Sequence, residues 1–458
     1  MNFEEYFTSL QGKTVAVIGI GVSNQPLIQL LLDRGISVTA CDRKDRAALG
    51  ALAEELEDQG AVLRLGETYL EGLHEDVIFR TPGIRPDLPE LCSAVEKGSL
   101  LTSEMEVFLE ICPCPLIGVT GSDGKTTTTT IIAELLKAAG KEVHLGGNIG
   151  HPLLSETGSM NPTDLVVLEL SSFQLMTMQK SPNIALMTNL APNHLDVHKD
   201  INEYITAKEN IFTHQSLQDI AVFNADNPLT MEQSTRAKGR VRLFSRKREL
   251  EDGVFLRGSA VIARSDGQER KIMDVSDIKL PGIHNIENYL AAIAVVDGMV
   301  PDAAIQNFAR IFSGVEHRIE LIRTRKGVRW YNDSIASSPS RTIAGLNSFQ
   351  TPVILIAGGK DKGISYAPLG PVVNDHVKLL ILCGATAGVI RQAVEHAENY
   401  RGLEIIDVED YYEAVSLADQ TATEGDIVLL SPASTSFDRF ANFMERGLAF
   451  KKIVRELP

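Results

Sequence analysis

Cysteine is scarce: five residues, at positions 41, 92, 112, 114 and 383. A small, odd number excludes a disulfide framework and fits a reducing compartment. Basic charge is also short, with 44 Lys+Arg against 60 Asp+Glu and a formal net charge of −16. A surface this poor in cations argues against non-specific nucleic-acid binding, which needs them to neutralise phosphates. No apolar run approaches the ~18 residues of a membrane span. The opening MNFEEYFTSL carries two glutamates and no basic stretch, so no signal peptide is expected. These absences predict a cytoplasmic protein with neither a membrane nor a nucleic-acid partner. Cys112 and Cys114 stand in CPCP, which looks like half a metal site. No second cysteine pair or nearby histidine completes it, and a linker kink is the alternative. No internal repeat occurs at solenoid periods, and the one low-complexity tract is the threonine run 126–130.

What is present reads as a folded α/β chain. Hydrophobic residues are 44% and charged residues 23%, ordinary values for a globular protein. At roughly 150 residues per domain, 458 residues suggest about three domains. Short β-branched runs alternate with helix-like runs: TVAVIGI (14–20), QPLIQLLLDRG (25–35), SVTACD (37–42) and DVIFRTPG (76–83). That rhythm predicts parallel sheets covered by helices on both faces. EMEVFLEI (104–111) reads as a connecting helix before the composition break at ICPCP. A second strand set follows: LIGVT (116–120), DLVVLEL (164–170), IALMTNL (184–190) and IAVFN (220–224). Residues 231–280 are more polar and suggest short antiparallel strands. NYLAAIAVVDGM (288–299) reads as a helix ending this region. A third set comprises VRWYND (328–333), VILIAGG (353–359), KLLILCG (378–384), LEIID (403–407) and DIVLLS (426–431). The expected domains are 1–104, 105–314 and 315–458.

The strongest local signal is GVTGSDGKTTTTTIIAELLKAAG (118–140), a strand, a Gly-rich loop, Lys-Thr and an amphipathic helix. Gly121 and Gly124 let backbone N–H groups turn toward phosphates. Lys125 supplies a cation, the helix N-terminus adds positive dipole, and the Thr126 hydroxyl suits Mg²⁺. The strict pattern wants glycine at 119, where this chain has Val119, so the loop is a shortened variant. GIGVSN (19–24) matches the first two glycines of a dinucleotide loop at Gly19 and Gly21 but has Asn24 at the third position. Asp42 ends the next strand, where a ribose-binding acid would sit. Glu169 lies near the end of an apolar strand. A carboxylate there is costly unless it is paired or binds metal, and beside a phosphate loop it suits Mg²⁺. NHLDVH (193–198) carries His194, Asp196 and His198 in an H-x-D-x-H pattern. Zinc would need a further ligand group. The other reading has one histidine facing Mg²⁺ or a phosphate. INEYITAKENIF (201–212) reads as a helix with Lys208 near its middle.

Taken in order, these motifs resemble the Mur ligases, the ATP-dependent amino-acid ligases of peptidoglycan synthesis. TGSDGKT (120–126), NIG (148–150), LELSSFQL (168–175), NHLDVH (193–198), LPGIHNIEN (280–288), EHR (316–318), NDS (332–334) and SPASTSFDRFANFMERG (431–447) come in family order. LELSSFQL and SPASTSFDRF are most similar to the members that add D-glutamate. The resemblance implies a Rossmann-like N-terminal domain binding the UDP-sugar and a central P-loop-type mononucleotide-binding domain holding Mg²⁺ and ATP. It implies a Rossmann-like C-terminal domain for the amino acid. The implied partners are ATP, UDP-N-acetylmuramoyl-L-alanine and D-glutamate, handled by a monomer.

By the same resemblance, Lys125, Lys208, His194 and Glu169 are catalytic. Thr126, Glu169, His194 and Lys208 hold metal, Lys208 as a CO₂-derived carbamate. ATP would meet Gly121, Ser122, Asp123, Gly124, Lys125, Thr126, Thr127, Asn285, Asn288, Arg318 and Asp333. The UDP-sugar would meet Val22, Ser23, Asp42, Arg43, Gly83, Asn148 and His194. D-Glutamate would meet Lys362, Ser436 and Phe443, a lysine and a hydroxyl suiting a dicarboxylate. Two departures stand out. Ile335 occupies a position where many D-glutamate adders carry lysine, with Arg341 six residues on as a candidate replacement. Asp123 stands where the family often has asparagine, an unfavourable charge near phosphates unless it faces solvent or Mg²⁺. Competing readings are a sister ligase, a folylpolyglutamate-synthase-like enzyme, a nicotinamide-dependent oxidoreductase using GIGVSN, and a non-catalytic UDP-sugar sensor.

Overall fold

The computed structural model describes residues 1–21, 24–191, 197–280, 282–361 and 364–458. Contacts divide the chain into two compact units, Met1–Ile311 and Phe312–Pro458. The first unit carries two sheets. One has five parallel strands in the spatial order Val62–Leu65, Ser37–Asp42, Thr14–Ile18, Val77–Arg80, Leu100–Thr102. Its order reverses between Thr14–Ile18 and Val77–Arg80, the switch point beyond which doubly wound sheets bind ligands.

The second sheet has nine strands. Its parallel part runs Arg240–Ser245, Ile220–Asn224, Ile184–Met187, Leu116–Thr120, Leu165–Glu169, Val143–Gly147. Gly253–Arg257, Ala260–Ser265 and Gln268–Asp274 extend it, pairing antiparallel with one another. The antiparallel strands expected within 231–280 are therefore present, although Arg240–Ser245 pairs parallel to Ile220–Asn224. The helix expected at 288–299 starts earlier, as Ile283–Val296, and is followed by Asp302–Ile311.

The Glu104–Ile111 helix is more than a connection. Met105, Val107, Phe108, Leu109 and Ile111 are all buried. They join one apolar cluster containing Val15 and Val17 of the first sheet and Val166 and Leu168 of the second. Most of this helix is buried, and its apolar side chains link the two sheets in one core. Cys114 beside it is buried and donates its thiol toward the Asn161 carbonyl at 3.1 Å. The CPCP segment is thus packed chain.

The second unit holds a six-stranded sheet, ordered Glu320–Arg325, Val328–Asn332, Ile427–Leu430, Val353–Ala357, Val377–Cys383, Glu404–Val408. Only the first pair is antiparallel. Trp330, Ile354, Ile356, Val428 and Leu430 pack on one face, and Leu355, Leu380, Leu382 and Leu429 on the other. Central strands apolar on both faces are what a helix-covered parallel sheet requires. Among the described residues, no helix is long and apolar enough to cross a membrane.

Candidate active site

Strand Leu116–Thr120 runs into the loop 121–124 and then the helix Lys125–Ala138. Two glycines are demanded by geometry. Gly121 has φ +148, and a Cβ there would lie 1.9 Å from Thr188 Oγ1. Gly124 has φ +77, and its Cβ would lie 2.4 Å from Asn288 Oδ1. The loop is fastened from behind. Ser122 N–H donates to the Asn189 carbonyl at 2.9 Å. Asp123 N–H donates to Asn189 Oδ1 at 2.9 Å. Ser122 Oγ shares a 2.9 Å hydrogen bond with the buried Tyr204 hydroxyl. The Asp123 side chain is exposed, which satisfies the condition its charge imposes.

Lys125 Nζ folds back onto the carbonyls of Gly121 and Ser122, each at 3.0 Å. This lays its charge across the loop's mouth, where a phosphate would sit. The threonine run is also explained. Thr129 and Thr130 hydroxyls donate back to the carbonyls of Lys125 and Thr126 at 2.8 Å, the i−4 bond threonine makes inside helices. Thr128 Oγ1 donates to Asn288 Oδ1 at 3.2 Å, and Asn288 Nδ2 donates to Asn285 Oδ1 at 3.0 Å. The Ile283–Val296 helix is thereby docked onto the phosphate-loop helix, placing Asn285 and Asn288 beside it.

Glu169 closes the neighbouring strand and is 2% exposed. Its Oε1 accepts from Asn148 Nδ2 at 2.9 Å. Its Oε2 is buried and has no hydrogen-bond partner among the described residues. An orphaned carboxylate oxygen beside a phosphate loop fits a hard divalent cation, which takes oxygen ligands. Lys208, 1% exposed, lies on the Ile201–Glu209 helix. Its Nζ donates to Gly121 O at 2.9 Å and Thr120 Oγ1 at 3.2 Å and sits 4.8 Å from the Tyr204 ring centroid. Burial, reinforced by the nearby Lys125 charge, pushes its ammonium pKa well below the ordinary lysine value. Burial thus works against the charged form of the amine.

The strand ends thus gather Gly121, Ser122, Asp123, Gly124, Lys125, Thr126, Thr127, Asn148, Glu169, Lys208, Asn285 and Asn288. His194 and Asp196 lie outside the described residues. His198 packs against the Ser172–Leu175 helix. It is buried, bonded through Nε2 to Ser172 Oγ at 2.9 Å and stacked on Phe173 with centroids 5.4 Å apart. Sequence reasoning missed Tyr204, whose only signal was an aromatic four residues before Lys208. It also missed Arg85, which donates to Val197 O at 2.6 Å and to both oxygens of Glu203. That guanidinium ties the loop after strand Val77–Arg80 to the helix carrying Lys208.

At the first sheet, Asp42 spends both oxygens on backbone, accepting from Ile20 N at 2.7 Å and Lys44 N at 2.8 Å. It therefore shapes the loop after strand Thr14–Ile18. Asn24, in the place of the third glycine, donates to the carbonyls of Ile18 and Gly19. Arg43 and Gly83 are exposed at the same end. Val22 and Ser23 lie outside the described residues.

In the second unit, Asp333 follows strand Val328–Asn332 and is 3% exposed. It accepts from Ser431 Oγ at 2.8 Å, and burial pushes its carboxyl pKa up to about 7. Ser436 is buried on the loop after strand Ile427–Leu430. Phe443 begins the last helix and meets His317 edge-on, centroids 6.1 Å apart. Arg446, 1% exposed, donates to Ser334 Oγ, Ser334 O and Ser434 O, clamping the loops together. Arg341 Nη1 donates to the carbonyl of Ile335 at 3.1 Å. Lys362 lies outside the described residues.

Residues 119–296 match the Mur ligase middle domain, and residues 317–434 match the Mur ligase, glutamate ligase domain. The chain is 51% identical to a UDP-N-acetylmuramoylalanine--D-glutamate ligase from Acetivibrio thermocellus, over 99% of this chain and 98% of that one. A ligase of the same name from Clostridium novyi is 49% identical, over 99% of each. The chain belongs to the Mur ligase family. Solved structures agree on the Mur ligase fold. A UDP-N-acetylmuramate-alanine ligase from Thermotoga maritima superposes with a TM-score of 0.56 at 20% identity, covering 97% of this chain and 99% of that one. A pseudomurein peptide ligase type C from Methanothermus fervidus gives 0.53 at 19%, covering 98% and 100%. The Lys125 loop and Glu169 both lie within the stretch that matches the Mur ligase middle domain.

Proposed function

We propose that this Mur ligase joins D-glutamate to UDP-N-acetylmuramoyl-L-alanine with cleavage of ATP to ADP and phosphate. One observation carries the choice of amino acid: the end-to-end similarity to D-glutamate ligases at about half identity. The oxidoreductase reading leaves Lys125, Glu169 and Lys208 without a task. The sensor reading leaves an orphaned buried carboxylate oxygen without a reason.

The chemistry follows from charge. The alanyl carboxylate attacks the γ-phosphorus of ATP, the bond to the bridging oxygen breaks, and ADP leaves with an acyl phosphate formed. The amine of D-glutamate then attacks the acyl carbon. A tetrahedral adduct collapses, expelling phosphate as the amine loses a proton. The first step brings two anions together. Two unit charges at 4 Å repel by about 4 kcal/mol at an effective dielectric of 20. Lys125, held across the loop by two carbonyls, offsets that repulsion. Bound Mg²⁺ supplies further positive charge against the phosphates. Thr126, Glu169 and His194 would hold it, with Lys208.

Lys208 fits that last role only as an anion. Its neutral amine is the form that attacks CO₂, and a carbamate would replace a misplaced cation with a metal ligand. A magnesium titration that does not respond to bicarbonate would count against this. The 1–104 segment would bind the uridine diphosphate through Val22, Ser23, Asp42, Arg43 and Gly83, 105–314 would bind Mg-ATP, and 315–458 would bind D-glutamate. Lys362, Ser436 and Phe443 would meet the amino acid. Arg341, bonded to the Ile335 carbonyl, would supply the cation missing at position 335. We place the enzyme, as a monomer, in the cytoplasm, where ATP and the UDP-linked precursor are.

The test is ADP release with Mg-ATP and UDP-N-acetylmuramoyl-L-alanine, supplied in parallel with D-glutamate, L-glutamate, L-alanine or a diamino acid. Release that depends on D-glutamate is expected, with Arg341→Ala raising KM for D-glutamate by roughly tenfold or more, the worth of a charge-assisted bond. Release with another amino acid would move the enzyme to a sister specificity.

A further inference from the structure

We infer that the turn Glu316–Glu320 is a strained positioning device that fixes the backbone of Arg318, with Ile319 and Glu320 as its positioning residues. This rests on the ligase reading only in taking Arg318 as a phosphate contact. Among the described residues, five non-glycine positions have positive φ, and two of them flank Arg318: His317 at +63 and Ile319 at +46. A β-branched residue in this region is an outlier. It persists only where its surroundings over-determine it, and such sites cluster where strain serves function.

The surroundings do over-determine it. His317 N–H donates to Glu320 Oε2 at 2.9 Å, and its carbonyl accepts from Ile335 N at 3.1 Å. Its Nδ1 lies 2.9 Å from Asn332 Nδ2. Its ring fills the space above Gly447, where a Cβ would come within 2.1 Å of Nδ1. Ile319 N–H donates to Asp333 Oδ1 at 3.3 Å, and Arg318 N–H to Val315 O at 3.1 Å. Glu320 is itself anchored by Asn332 Nδ2 at 3.2 Å and Lys451 Nζ at 2.5 Å. Lys451, largely buried, also reaches Glu316 at 2.7 Å.

Glu316, His317 and Glu320 lie close enough to suggest a metal site. The Lys451 ammonium already bridges the two carboxylates, so the cluster is an internal lock. The N–H groups of His317, Arg318 and Ile319 and the carbonyl of His317 are thus tied. Arg318 is exposed, and its charge acts on the buried Asp333 carboxylate without a hydrogen bond or ion pair to any described residue. A fixed backbone beneath an exposed cation is how a charge is pre-organised for an incoming anion.

The experiment measures Mg-ATP affinity by calorimetry, with the melting temperature, for the full chain and for Ile319→Gly, Ile319→Asn and Glu320→Gln. Glycine accepts the left-handed conformation freely, which offsets the packing Ile319 gives the apolar cluster around Tyr331, so Ile319→Gly should melt within a few degrees of the parent. It should nevertheless bind Mg-ATP about tenfold more weakly, because Arg318 loses its fixed seat. Ile319→Asn, which tolerates this region, should bind within about threefold of the parent. Glu320→Gln should weaken binding as glycine does. Parental affinity in both Ile319→Gly and Glu320→Gln would overturn the proposal. A parent that binds Mg-ATP but adds no D-glutamate would refute the ligase reading and leave this test readable. A parent that does not bind Mg-ATP would overturn both.

Discussion

Lys125→Met is expected to lower kcat for ADP formation by about a thousandfold. The figure follows from the repulsion between attacking carboxylate and γ-phosphate, about 4 kcal/mol at 4 Å, at 1.36 kcal/mol per tenfold in rate. Lys125 is the loop's own cation, and its Nζ sits 3.0 Å from both Gly121 O and Ser122 O. The fold should survive. Lys125 is only partly buried, Gly121 O keeps its bond from Lys208 Nζ, and methionine keeps the stem's packing. The melting temperature should therefore move by only a few degrees, since one hydrogen bond contributes about 1 kcal/mol net. Steady-state kinetics with melting curves check this. A loss below tenfold with an intact melting curve would mean that charge compensation comes from elsewhere.

Glu169→Gln should move activity and stability in opposite directions. Its carboxylate is 2% exposed, with one oxygen bonded to Asn148 and the other without a partner among the described residues. Burying an incompletely paired charge costs free energy, on the order of 1–3 kcal/mol for an unsatisfied group and more when it is charged. The isosteric amide removes the charge and keeps an acceptor for Asn148. The metal-free variant should therefore melt above the parent. Catalysis should fall by at least roughly a hundredfold, because a metal ligand's charge stabilisation is worth several kcal/mol. Magnesium titrations of both proteins, with and without bicarbonate, check the binding side. A variant that melts lower yet binds Mg²⁺ as the parent does would make Glu169 a structural acid.

Much of this site was legible in the residues. The run from Thr120 to Thr126 specifies a strand, two positive-φ glycines and a helix start, and those local demands are met at Gly121 and Gly124. Glu169 was legible because a carboxylate ending an apolar strand has few other reasons to be there. Lys208 was not legible from its helix. Its burial depends on Tyr204 and Thr120, and Thr120 lies 88 residues away in sequence. The same holds for Arg85 and Glu203, 118 residues apart, and for Lys451 and Glu320, 131 apart. Sequence spacing carries no trace of such pairs. The Glu104–Ile111 helix reads locally as a linker, yet its five buried apolar side chains join two sheets in one core. Nothing in the residues around Ile319 marks its left-handed backbone, which comes from the hydrogen bonds that converge on it and its neighbours.

In the proposed mechanism the precursor's carboxylate is activated by direct attack on the γ-phosphate. The most direct measurement uses UDP-N-acetylmuramoyl-L-alanine with both carboxylate oxygens labelled as ¹⁸O, turned over with Mg-ATP and D-glutamate. Mass spectrometry of the released phosphate should find one labelled oxygen per phosphate, carried over when the acyl phosphate breaks. Unlabelled phosphate, with amide product formed and no label transferred, would contradict the account.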